Sequence, residues 1–141
     1  MQTLYTLNEA NEALRLVRVI ARELAERRDE HRQLTDDRRE SRERAARRGE
    51  AEGADYALAA RLRELEEASA RCRQELEQLG LTILREDPLT LHFPGTSRGR
   101  DDDAPRAVVF CWQEGEDTVG FGHADGEEEH PRRPLRVGRG S

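Results

Sequence analysis

The sequence predicts an α+β fold: a long antiparallel helical hairpin, coiled-coil-like, packed at its base on a small, mainly antiparallel β-sheet of three to four strands. Residues 6–79 place apolar side chains at helical spacing, with Gly49 and Gly53 as the breaks. Residues 81–123 switch to short β-rich runs separated by turn residues. Near its start the first helix also carries a wider apolar stripe than one partner helix covers.

The first helix is expected over 6–48. Thr6-Leu7-Asn8-Glu9 is a capping box, in which the Thr hydroxyl and the Glu carboxylate each accept from the other's backbone amide. Leu7, Ala10, Leu14, Val17, Ala21 and Leu24 follow at steps of three and four, and Ala13, Leu16 and Ile20 widen the stripe. Past Leu24 only Leu34 and a few alanines are apolar, so the distal half is expected in water. The second helix, about 54–79, repeats Leu58, Leu62, Leu65, Ser69, Cys72, Leu76 and Leu79 on one seam, and Gly80 stops it. A short connection folds the two helices antiparallel. Folded about residue 51, Leu24 faces roughly Gln78, and the start of the first helix overshoots its partner. Its apolar base then needs the β region to cover it.

Strands are expected at Leu81–Arg85, Thr90–Phe93, Arg106–Gln113 and Thr118–His123, the last two joined by a hairpin turn at Glu114–Asp117. Residues 94–105 read as a polar loop. The organisation is therefore a helical hairpin over 1–80, a small sheet over 81–124 forming one unit with the base of the hairpin, and an irregular, arginine-rich tail over 125–141.

Charged residues make up 38% of the 141-residue chain and hydrophobic ones 35%, a balance that suits long solvated helices better than a thick core. The basic residues are all arginine, and the net charge of −6 conceals a segregation. Residues 38–48 carry six arginines against two glutamates, whereas 101–130 carry ten acids against Arg106 alone. An acidic chain whose arginines lie among acids is a poor general nucleic-acid binder. Two cysteines make no disulfide framework. Neither a signal peptide nor a membrane-spanning run is seen, so a cytoplasmic location without membrane attachment is expected.

Chemistry-bearing residues concentrate in FCWQEGEDTVGFGH, residues 110–123. Strand alternation puts Val108, Phe110 and Trp112 on one side and Val109, Cys111 and Gln113 on the other. Cys111 and His92 are the thiol–imidazole pair that alternation permits, while Cys111 and His123 are expected on opposite sides. The ligand or metal candidates are His123, Trp112, Cys111, Glu116, His92 and Arg132, with no catalytic set among them. Zinc or another divalent metal is the cofactor class that Cys111, His92 and a carboxylate such as Glu114 would take, though none of them sits at a metal-finger spacing. His123 beside Trp112, with Asp125, Arg132 and Arg133 close in sequence, would suit a small anion. The plainer expectation is that the stretch is scaffold covering the overshooting helix. Cys72 fits a small core residue on the helical seam.

The segments TLNEANEAL at 6–14, HFPG at 92–95, CWQEGE at 111–116, GH at 122–123 and Arg132-Arg133-Pro134-Leu135 resemble a bacterial family catalogued as domain of unknown function 2203. The resemblance spans nearly the whole chain and implies a helical hairpin with a small sheet; it implies no activity. Carried over by position, Phe93, Pro94, Cys111, Trp112, Gly115, Glu116, His123 and Arg132 are the motif residues. His92 stands where the family has Asp, Gly122 where it has Trp, and Glu127–Glu129 replace a glycine-aromatic segment.

The function expected is that of a cytoplasmic, non-enzymatic self-association or protein-interaction module, a homodimer through the helical hairpin. The alternative is a small-ligand or metal-binding domain with its site near Trp112 and His123.

Overall fold

A computed structural model describes residues 4–49, 55–97, 105–124 and 133–134, with the backbone alone at Phe121, His123, Ala124, Arg133 and Pro134. Two compact units emerge, one of Met1–Ala21 with Glu75–Ser141 and the other of Arg22–Gln74. Both helices, α1 (Leu7–Arg48) and α2 (Asp55–Gln78), run from one unit into the other. The fold is α+β.

In the first unit α1 opens on the expected capping box: the Thr6 amide donates to Glu9 Oε1 at 2.9 Å and the Glu9 amide to Thr6 Oγ1 at 3.1 Å. Ala10, Leu14, Val17, Ile20 and Ala21 are buried. Of the second apolar line only Ile20 is buried, since Leu16 stays 55% exposed; Val19, off that line, is 67% exposed. Leu16 lies roughly 110° round the helix from the centre of the buried stripe, too far for a cover on that side to reach. At the other helix end, Leu81 N donates to Leu76 O and Gly80 N to Glu77 O, with Gly80 at φ 87°. This is a Schellman stop, and its apolar pair, Leu76 and Leu81, is buried.

The sheet is an antiparallel meander in the order β1 (Thr82–Glu86), β2 (Leu89–Ser97), β3 (Arg106–Gln113), β4 (Phe121–Ala124) and β5 (Arg133–Pro134). It exceeds the expected three to four strands by the two-residue β5, which lies in the segment expected to be irregular. Strand β2 also continues through Pro94 and Gly95, where a loop was expected. There the N-terminal segment takes up the edge that β1 leaves open: Tyr5 N donates to Pro94 O at 2.8 Å and Thr96 N to Tyr5 O at 2.9 Å. Proline at a sheet edge loses no ladder bond.

Cross-strand pairing sets Leu91 against Trp112 and Phe93 against Phe110 on one face, and all four are buried. Tyr5 packs edge-on against Phe93, with ring centroids 5.4 Å apart, and its hydroxyl donates to Leu79 O. Burial raises the Tyr5 pKa, and Glu9 adds to the rise. Gly95 is required on this face because a Cβ there would collide with the Phe110 ring.

The second unit consists of two antiparallel helices. Leu24, Ala25, Leu62, Leu65, Ser69 and Cys72 form its buried seam. Cys72 Sγ donates to Glu23 Oε2 at 3.1 Å, so Leu24 lies level with about Cys72 rather than Gln78. The shift arises at the distal end, where Asp55 lies level with Arg38 and Arg42, so α1 runs on past the start of α2. Among the described residues no helix is long and apolar enough to cross a membrane.

Candidate functional site

The turn after β3 is built by the motif residues Trp112, Gly115 and Glu116 together with Glu114. Gly115 adopts φ 100°, a left-handed conformation that glycine permits. Trp112, buried on the core face, donates its indole N–H to Glu116 O at 2.8 Å. The Glu116 carboxylate accepts the Gln113 amide at 2.6 Å, and that of Glu114 accepts the Leu89 amide at 3.0 Å. The backbone amide of Glu114 donates to Leu89 O. Two carboxylates and the indole thus satisfy backbone groups that a turn between strands leaves without ladder partners. The connection is longer than expected, running from Glu114 to Gly120 between β3 and β4.

Asn11 fastens the far end of this connection. Its Oδ1 accepts the Val119 amide at 2.8 Å, while its Nδ2 donates to Val119 O at 3.3 Å and to Leu7 O at 3.1 Å. The signal for this residue was a polar amide one position beyond the apolar stripe of α1, but its partner lies 108 residues away. Spacing within a helix cannot reveal such a contact.

On the opposite face of the sheet the register brings Cys111 and His92 together as directly paired residues of neighbouring strands. Cys111 is 1% exposed and His92 is half-buried. Position 123 pairs with Val109, and Phe121 with Cys111. Paired residues share a face, so His123 occupies the Cys111 face rather than the opposite one expected from alternation within each strand. The reason is that β4 begins only at Phe121, after the longer connection. Trp112 and Glu116 belong to the core face and the turn and do not join this row. Arg132 lies outside the described residues, as do Asp125 and the acidic run Glu127–Glu129. Among the described residues, no three His, Cys, Asp or Glu side chains form a group that could hold a metal ion.

The two-helix unit carries an open groove of about 830 Å³ between α1 and α2. Ala46, Ala59 and Leu62 line it with small or apolar surface, and Arg39, Arg63, Glu43 and Glu66 bring both signs of charge. Both Arg38 and Arg42 grip Asp55 with two bonds each, at 2.7 and 2.8 Å and at 3.2 and 2.9 Å. The Arg38 hydrogen bonds first, then those of Arg42, hold the Asp55 carboxyl well below the usual carboxylate range. Arg61 grips Glu30 in the same two-bond manner and lowers its pKa. His31 Nε2 and Glu66 Oε1 stand 3.1 Å apart across the helices.

A family model described as "Uncharacterized conserved protein (DUF2203)" matches residues 3–135. No curated protein and no solved structure matches the chain.

Proposed function

The chain belongs to the DUF2203 family of uncharacterized conserved proteins, and from that premise we propose a cytoplasmic, non-enzymatic module that works by self-association through its helical arm. The observation carrying this proposal is the groove along α1 and α2. Two antiparallel helices bury one stripe each, and a second pair laid into such a groove completes a four-helix bundle. The occupant we favour is a second copy of this chain. A two-fold interface must be complementary to itself, and the groove offers both Arg39 and Arg63 and both Glu43 and Glu66. The arginine-rich stretch 38–48 and the acidic stretch 101–130 supply a further attraction between copies.

Support also comes from the motif residues Trp112 and Glu116, which together with Glu114 hold the turn. A cytoplasmic setting suits a thiol such as Cys72, which donates its proton to Glu23. Analytical ultracentrifugation at micromolar concentration tests the proposal. A dimer is expected, and a monomer at every concentration up to about 100 μM, weaker than most specific homodimers, would overturn it.

A further inference from the structure

Most of the charged side chains that line the groove between α1 and α2 are paired within the chain. Arg38 and Arg42 are bound to Asp55, Arg39 to Asp36 and His31 to Glu66. Of the charged lining Arg63 and Glu43 remain, one of each sign, and among the described residues neither makes an ion pair. They cannot satisfy each other within one chain. The contacts of Glu23 with Cys72, of Glu30 with Arg61 and of Arg38 and Arg42 with Asp55 set Arg63 level with about Arg32 of α1. With a rise of about 1.5 Å per residue, Arg63 and Glu43 therefore stand roughly 17 Å apart along the groove.

Tyr56 points the same way. It is 82% exposed, more than any other large apolar side chain among the described residues. Tyr56, Ala59, Arg63 and Glu66 follow at steps of three and four, so Tyr56 continues the row of α2 that lines the groove. Asp55, gripped by both Arg38 and Arg42, places Tyr56 level with about Arg39. On α1 the lining runs from His31 to Ala46, so Tyr56 stands beside the middle of its length. An exposed aromatic ring at the centre of a surface patch is what specific interfaces bury.

Given the self-association proposed above, on which its register depends, we infer that the second copy lies antiparallel in the groove about a two-fold axis beside Tyr56. Such an axis brings the two Tyr56 rings together and exchanges the two halves of the groove. Arg63 lies roughly 10 Å to one side of the midpoint and Glu43 roughly 7 Å to the other, so each Arg63 meets Glu43 of the second copy. The difference of about 3 Å is within the reach of the long arginine stem. With the axis running along the groove instead, Arg63 would face Arg63 and Glu43 would face Glu43, and like charges so placed repel.

Sedimentation equilibrium of the full chain and its variants tests the register. Tyr56→Ala should raise the dimer Kd by about tenfold or more. Its far-ultraviolet circular dichroism should be unchanged, because so exposed a ring supports little packing within the chain. Tyr56→Phe should keep the native affinity. Glu43→Arg and Arg63→Glu should each weaken association by about fivefold, since each turns two attractive pairs into two repulsive ones. The double variant reverses both members of each pair and should return to within about twofold of the native Kd. A native dimer indifferent to Tyr56→Ala, or a double variant no tighter than the single ones, overturns the register and leaves self-association standing. Should Tyr56→Ala not fold, the charge-reversal cycle decides alone. A native chain that stays monomeric overturns self-association itself, and the register with it.

Discussion

An asparagine in the first turns of a helix is a poor helix former, because its amide competes for nearby backbone groups. In α1 that competition is turned outward: Asn11 satisfies both the amide and the carbonyl of Val119, a residue 1% exposed. Asn11→Ala should therefore leave two backbone groups of the β3–β4 connection without partners. The expected cost is about 1–3 kcal/mol for the stranded groups. Urea unfolding followed by far-ultraviolet circular dichroism checks this, and an unchanged midpoint would contradict the clamp. Gly95 makes a steric prediction of similar size. Gly95→Ala pushes a methyl group into the Phe110 ring, in the middle of a strand whose neighbours are fully packed. Overpacking of this kind costs about 1–3 kcal/mol, and the loss should be partly recovered in the double variant Gly95→Ala with Phe110→Leu.

Among the elements, the helices carry a pH dependence whose sign follows from the carboxylates that bind them together. Asp55 and Glu30 have folded-state pKa values below their unfolded ones, through Arg38 and Arg42 and through Arg61 respectively. Such groups contribute stability in full above the unfolded carboxylate pKa and lose it as pH falls through the folded one. Thermal melts should therefore be flat in this respect near neutrality and fall below about pH 4. In Asp55→Asn the melting temperature should be lower at neutral pH and its acid-induced fall smaller; equal falls in both proteins would remove Asp55 as a cause. Legibility at this scale follows the range of the interactions. The capping box of Thr6 and Glu9, the glycine stop at Gly80 and the seam of Leu62, Leu65, Cys72 and Leu76 are local patterns, and sequence spacing shows them directly. Strand β2 passing through Pro94 and Gly95 depends on Tyr5 arriving from the other end of the chain. Leu16 and Ile20 lie on adjacent positions of one helical face, and only the extent of the covering layer decides which is buried. The pairing of His92 with Cys111, likewise, is a matter of strand register, which alternation within a single strand leaves open.

Across the whole molecule, the distribution of charge matters more than its sum. A net charge of −6 would by itself keep copies apart, yet residues 38–48 are strongly basic and residues 101–130 strongly acidic. Opposed patches of this kind attract between molecules at low salt, with a range set by a screening length of about 10 Å at 0.1 M and about 3 Å at 1 M. The groove between α1 and α2, with its small lining residues, contributes a component that salt does not weaken. Dimerisation should therefore weaken, without vanishing, as sodium chloride rises from about 0.05 to about 1 M. Reversing the charge of Arg44, Arg47 and Arg48 to Glu should abolish most of the salt dependence, since all three are exposed and lie in the basic stretch. Replacing Ala59 by Glu in the groove should instead reduce association at every salt concentration. Sedimentation velocity across the salt series separates the two contributions. Self-association that strengthens steadily with salt would point to a purely apolar contact and would remove the basic and acidic stretches from any part in pairing.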